Sequence, residues 1–197
     1  MRAADALRAL RALEHPERAR FARRFFRAGP GEYGEGDKFL GLRVPQVRKI
    51  AREFRLLPLG EIEKLLASPW HEARLLGLVV MIHQFERGDE AVRRSIYRSY
   101  LSHTDRINNW DLVDISAPHI VGAYLQDRNR SVLRRLARSK SLWERRMAIL
   151  ATFHFIRQGE ARETLRIAEL LRDDEHDLIR KAVRWMLREA KRVPSTR

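Results

Sequence analysis

The sequence predicts an all-α fold, an α-α superhelix of stacked helical pairs whose concave face carries basic residues. Three observations carry that reading. Apolar residues recur at helical spacing along nearly the whole chain, as in Leu75, Leu76, Val79 and Ile82 or Leu178, Ala182, Trp185 and Met186. Alternation of apolar and polar residues with β-branched enrichment, the mark of a strand, is missing. Related segments also return at a near-constant interval: Trp70-His71-Glu72-Ala73-Arg74-Leu75, Trp110-Asp111-Leu112-Val113-Asp114-Ile115, Trp143-Glu144-Arg145-Arg146-Met147-Ala148 and, without the Trp, Asp177-Leu178-Ile179-Arg180-Lys181-Ala182.

In chain order, the periodicity predicts helices over 3–13, 16–27, 45–55, 59–66, 70–86, 89–100, 108–113, 115–125, 129–137, 141–157, 160–171 and 175–191. Pro16, Pro45, Pro58, Pro69 and Pro118 stand where helices open or separate, because a proline ring suits the first helical turn and not the interior. Gly29-Pro30-Gly31-Glu32-Tyr33-Gly34-Glu35-Gly36 is a loop, since four glycines in eight residues cannot hold a helix. The repeats start at 70, 110, 143 and 177, intervals typical of a HEAT-like solenoid, in which each helical pair buries its apolar face only by stacking on the next. An irregular helical bundle is the alternative. Residues 1–197 read as a single repeat domain.

Composition excludes several classes. There is no cysteine, so no disulfide and no thiolate chemistry. No stretch reaches the roughly 20 apolar residues of a membrane span, and the Arg-scattered N-terminus lacks a secretory core, so a cytoplasmic protein is expected. No Gly-Lys-Ser/Thr follows the glycine loop, no Gly-x-Ser-x-Gly elbow occurs, and the seven histidines form no helical pair for a metal. The formal net charge is +14, and 34 of the 40 basic residues are Arg, the residue that grips phosphate as a planar fork. Such a balance points to nucleic acid. The alternatives are a GC-rich genome or heat adaptation.

Two constellations stand out. In 107–118, Trp110 and Asp114 lie one helical turn apart, and an aromatic face beside a carboxylate suits a cationic ligand. The plainer reading is that Asp111 caps the helix and Trp110 packs in the core. On the last helix Arg180, Arg184 and Arg188 form a stripe beside Trp185, and Arg145 and Arg146 follow Trp143; this suits a phosphate track or simply a solvated face.

Four runs, GEYGEGDKFLGLRVPQVRK (31–49), NNWDLVDISAPHIVGAYL (108–125), LWERRMAILATFHFIRQGE (142–160) and HDLIRKAVRWMLREAKR (176–192), together resemble the AlkD-like DNA alkylation repair family, in its order and over most of the chain. The resemblance implies HEAT-like helical pairs gripping duplex DNA that contains alkylated bases. It implies hydrolysis of the N-glycosidic bond of N3- and N7-alkylated purines without a metal or other cofactor and without a deep base pocket, by an enzyme expected to act as a monomer. It places the family's aromatic-acid trio on Trp110, Asp114 and Trp185 and its phosphate-contacting arginine on Arg146, with Arg188 at a further basic position. Arg145, Arg180 and Arg184 complete the expected DNA-binding set. Family members continue by one or two helices beyond the last run, so this chain is expected to be short at its C-terminus, ending Val193-Pro194-Ser195-Thr196-Arg197. Rival readings are a DNA-structure-binding protein without excision activity and a basic scaffold for acidic protein partners.

Overall fold

The computed structural model describes residues 1–194; Ser195, Thr196 and Arg197, the end of the expected terminal run, lie outside the described residues. Among the described residues there are eleven α-helices: α1 (Ala3–Arg11), α2 (Pro16–Phe25), α3 (Val44–Glu53), α4 (Leu59–Leu66), α5 (His71–Arg87), α6 (Glu90–Ser102), α7 (Trp110–Ala117), α8 (Ser131–Ala137), α9 (Leu142–Arg157), α10 (Arg162–Leu170) and α11 (Asp177–Ala190). A 3₁₀ turn spans Thr104–Arg106. The chain divides into two compact units, Met1–Leu112 and Val113–Arg197.

The helix starts follow from local chemistry. Pro16 and Pro45 occupy the first turns of α2 and α3. Asp89 Oδ1 accepts from Val92 N (2.9 Å) to cap α6, and Ser141 Oγ accepts from Glu144 N (3.4 Å) to cap α9. All four repeat starts open helices: Trp70 precedes α5, Trp110 begins α7, Trp143 is the second residue of α9 and Asp177 begins α11. Trp143 itself is buried.

One expectation needs correction. Separate helices over 108–113 and 115–125 are not formed. Instead α7 runs from Trp110 to Ala117 and passes into a π-helical segment, Pro118–Gly122. Pro118 has no N–H to donate to the carbonyl four residues back, that of Asp114. The chain answers with a wider register rather than a break, the usual form of a π-bulge inside a helix.

Each unit is organised round one long helix. In unit one this is α5, which packs on α3, α4 and α6 and buries Leu76, Leu78 and Met81. Leu10, Leu40, Ile62 and Leu66 complete that core. In unit two it is α9, which packs on α8, α10, α11 and the π segment and buries Met147 through Thr152. A helix apolar nearly all round belongs in an interior. The contact with the π segment is close: a Cβ on Gly122 would stand 2.2 Å from the Ala151 carbonyl oxygen, so only glycine fits there.

Candidate active site

In unit one, the start of α7 rests on a buried polar network. His71, the first residue of α5, donates from Nε2 to Asp111 Oδ2 (2.8 Å) and from Nδ1 to Asp37 Oδ2 (3.2 Å). Arg74 Nη2 lies 2.6 Å from the other Asp37 oxygen, and Arg74 Nη1 donates to the Ser68 carbonyl (2.9 Å). Asn108 Nδ2 donates to Asp37 Oδ1 (3.2 Å). Burial alone would lower the His71 pKa, but the Asp111 charge and the hydrogen bonds to Asp111 and Asp37 outweigh it and raise the value to about 9. Burial would likewise raise the Asp37 carboxyl, yet the His71 hydrogen bond and the Arg74 charge hold it below its ordinary range.

Aromatic rings close round the same histidine. Phe26 and Phe39 lie 4.8 and 4.9 Å from the His71 ring, and Phe26 is stacked on Trp110 at 5.4 Å. Phe25 meets Trp110 edge-on at 5.8 Å. Trp110 is thus half-buried on an aromatic bed, with one face of α7 fixed by the Asp111–His71 pair. The glycine loop reaches this place too: Gly34 N donates to the Arg27 carbonyl (3.0 Å), and a Cβ on Gly34 would lie 3.2 Å from Asn109 Nδ2 and 2.5 Å from the Phe26 carbonyl oxygen.

In unit two, Asp114 is held from α9. Arg146 donates from Nε to Asp114 Oδ1 and from Nη2 to Asp114 Oδ2, both at 2.8 Å. Its third nitrogen, Nη1, donates to the Leu178 carbonyl (2.7 Å) in the first turn of α11. A bidentate pair of this kind fixes the carboxylate plane as well as its charge. The Asp114 side chain keeps 20% of its surface open. Trp185, half-buried on α11, lies against Phe153 of α9 at 5.8 Å between ring centroids.

The expected DNA-binding arginines divide sharply. Arg146, expected at a phosphate, is 6% exposed and committed to Asp114 and Leu178. Arg145 is committed to Asp174 (Nε–Oδ2 2.6 Å) and to the Ser139 and Lys140 carbonyls. Arg180, Arg184 and Arg188 are exposed on α11, Arg180 also donating to the Glu175 carbonyl (2.6 Å). Asp111, read as a helix cap, pairs with His71; Trp110 N is met instead by Asn109 Oδ1 (2.9 Å).

The family model for "DNA alkylation repair enzyme" matches residues 6–195. The chain belongs to the DNA alkylation repair enzyme family. A solved structure described as a predicted DNA alkylation repair enzyme from Enterococcus faecalis shares its fold, with a TM-score of 0.68 and 17% identity over 91% of this chain and 84% of that one. No curated protein matches the chain. In this alkylation repair protein, as elsewhere in its family, DNA is the implied partner. No helix among the described residues is long and apolar enough to cross a membrane.

Sequence reasoning missed the His71–Asp37–Arg74 network entirely. A signal existed: polar residues follow the Trp at the start of the repeat units, His71 and Glu72 in the first and Asp111 in the second. Glu72 turns out to accept from three backbone donors, Leu40 N (2.9 Å), Gly41 N (2.8 Å) and Leu42 N (3.2 Å).

Proposed function

We propose that this chain is a DNA glycosylase that hydrolyses the N-glycosidic bond of cationic N3- and N7-alkylated purines in duplex DNA. An alkylated purine of this kind already carries positive charge, so it departs as a neutral base without prior protonation. Breaking C1′–N sends the bonding pair to the purine nitrogen and leaves positive charge on the deoxyribose, as in other glycosyl transfers. Asp114 stabilises that charge and orients a water. The water oxygen bonds to C1′, and its proton passes by way of the carboxylate to solvent. No step in this scheme calls on a metal or organic cofactor. Trp110 and Trp185 pack against the lesion's sugar and backbone and add attraction for the cation. Arg146 acts as a positioning residue for Asp114. Arg180, Arg184 and Arg188 bind phosphates, which set register without reading sequence.

The observation that supports this reading best is the Asp114 carboxylate, partly open and held by two 2.8 Å bonds from a buried guanidinium. The test is incubation of purified protein with methylated DNA and chromatography of released bases. The parent is expected to release 7-methylguanine, and Asp114→Asn to lose roughly 100-fold or more of that rate while still binding DNA. Equal rates would reject the role of Asp114. Binding without any release by the parent would make the protein a DNA-structure binder instead.

A further inference from the structure

Helix α2 is anomalous. It has ten residues, and none of them is buried. A helix in a folded protein normally gains its stability by covering an apolar stripe, and isolated helices of this length are marginal in water. Yet α2 presents two large aromatic side chains outward, Phe21 at 61% and Phe25 at 53% exposure. Their rings are stacked, 5.9 Å apart and 18° from parallel. Phe25 continues to Trp110, so three rings form a ladder that leads from solvent to the start of α7. Arg20 and Arg24 follow one helical turn apart and directly precede Phe21 and Phe25, so a basic stripe adjoins the aromatic one. Arg20, Arg23 and Arg24, with Glu17, line an open depression of about 510 Å³. Beyond the helix, exposed Arg27 sits in the left-handed region (φ 48), a conformation that is costly for a side chain of this kind and that clusters at functional places.

We propose that α2 is a contact surface for a locally unpaired DNA strand, on which an unstacked base lies against Phe21 and Phe25 while Arg20 and Arg24 hold the adjoining phosphates. Aromatic rings interleaved with cations are the chemistry that single strands require: every base offers a π-face and every linkage a phosphate. The proposal rests on the DNA-directed function above and extends it to a second surface. An anionic lipid surface is the competing partner for a basic helix with exposed phenylalanines.

The experiment compares fluorescence-anisotropy titrations of two labelled DNAs, one fully paired and one with a short unpaired bubble, using the parent, Phe21→Ala, and Arg20→Gln/Arg24→Gln. Co-sedimentation with phosphatidylserine-containing vesicles runs in parallel. Phe21 is exposed and its ring contact is with Phe25, so Phe21→Ala should fold; a melting curve matching the parent verifies this. The parent is expected to prefer the bubble. Phe21→Ala should weaken bubble binding roughly tenfold and leave paired binding within about twofold. The double arginine variant should lower the salt dependence on the bubble by about two phosphates' worth. Equal affinities of parent and Phe21→Ala for the bubble overturn the proposal while leaving the function above standing. Failure of the parent to bind either DNA overturns both. Vesicle binding abolished by Phe21→Ala, with DNA binding untouched, assigns the surface to lipid and also overturns it.

Discussion

Arg146 and Asp114 sit closer to a buried ion pair than to a surface one, and this decides what losing either costs. Removing one partner of a buried pair typically costs about 3–5 kcal/mol because the other charge is left without compensation. Here Asp114 keeps some access to water, so Arg146→Ala is expected to cost about 2–4 kcal/mol in chemical denaturation, discounted for that access. Arg146→Lys should fall between Ala and the parent. An ammonium can neutralise Asp114 but cannot hold both carboxylate oxygens and the Leu178 carbonyl together. If Arg146→Ala were as stable as the parent, the guanidinium would have no part in holding Asp114. Glu72 offers a second test at this scale. Its carboxylate accepts from Leu40, Gly41 and Leu42, and an amide in its place would turn an NH₂ group toward N–H donors. Glu72→Gln should therefore cost about 1–3 kcal/mol, read from the same denaturation curves.

Element boundaries were legible in the sequence wherever a proline, a serine or an acidic cap stood at a helix start, and all four repeat starts fell on helix starts. What escaped was register inside an element. Pro118 reads as a break from sequence, because its missing donor is visible while the partner helix that keeps the chain coiled is not. That partner is α9, and the close approach of its Ala151 carbonyl to Gly122 shows how tightly the π segment is held. Two glycines on helical segments should then respond oppositely to alanine. At Gly122 a Cβ would meet a carbonyl oxygen at 2.2 Å and the His154 Cβ at 2.7 Å, contacts that neither neighbour can relieve by a side-chain rotation. Gly122→Ala should destabilise by about 3 kcal/mol. At Gly60, exposed in the first turn of α4, a Cβ meets nothing within 4 Å. Gly60→Ala should be neutral or stabilise by up to about 1 kcal/mol, through reduced freedom of the unfolded chain. Thermal melts of both variants check the pair, and a stable Gly122→Ala would mean that α9 and the π segment can separate freely.

For the molecule as a whole, the all-helical class and the basic, DNA-directed character were readable from period and charge, and Asp114 was legible through the family resemblance. The identity of its partner was not, because Arg146 and Asp114 are 32 positions apart and nothing in either helix's pattern names the other. The same holds for His71 and Asp111, 40 positions apart, whose pairing has the largest consequence for stability against pH. Below pH 6.5, His71 is protonated in both folded and unfolded chains, and its contribution is complete. Between 6.5 and about 9 the unfolded chain has given up the proton while the folded chain keeps it between Asp111 and Asp37, so each step upward in pH favours unfolding. The full loss across that window is about 3 kcal/mol. On the acid side the sign reverses. Asp37, held below its ordinary value of 3.8, contributes stability above that value and loses it as pH falls through the folded pKa. His83, His154 and His176, each lowered chiefly by burial, must take up protons in the folded chain at a cost once the pH drops below 6.5. Stability should therefore peak near pH 6 to 7 and decline measurably by pH 9. Denaturation curves at pH 6.5, 7.5, 8.5 and 9.5 give the slope. His71→Gln, which retains a hydrogen-bonding side chain but no titratable proton, should be less stable than the parent at pH 6.5 and should flatten the alkaline decline. A parent curve that is level from 6.5 to 9.5 would mean that His71 is neutral between its two carboxylates.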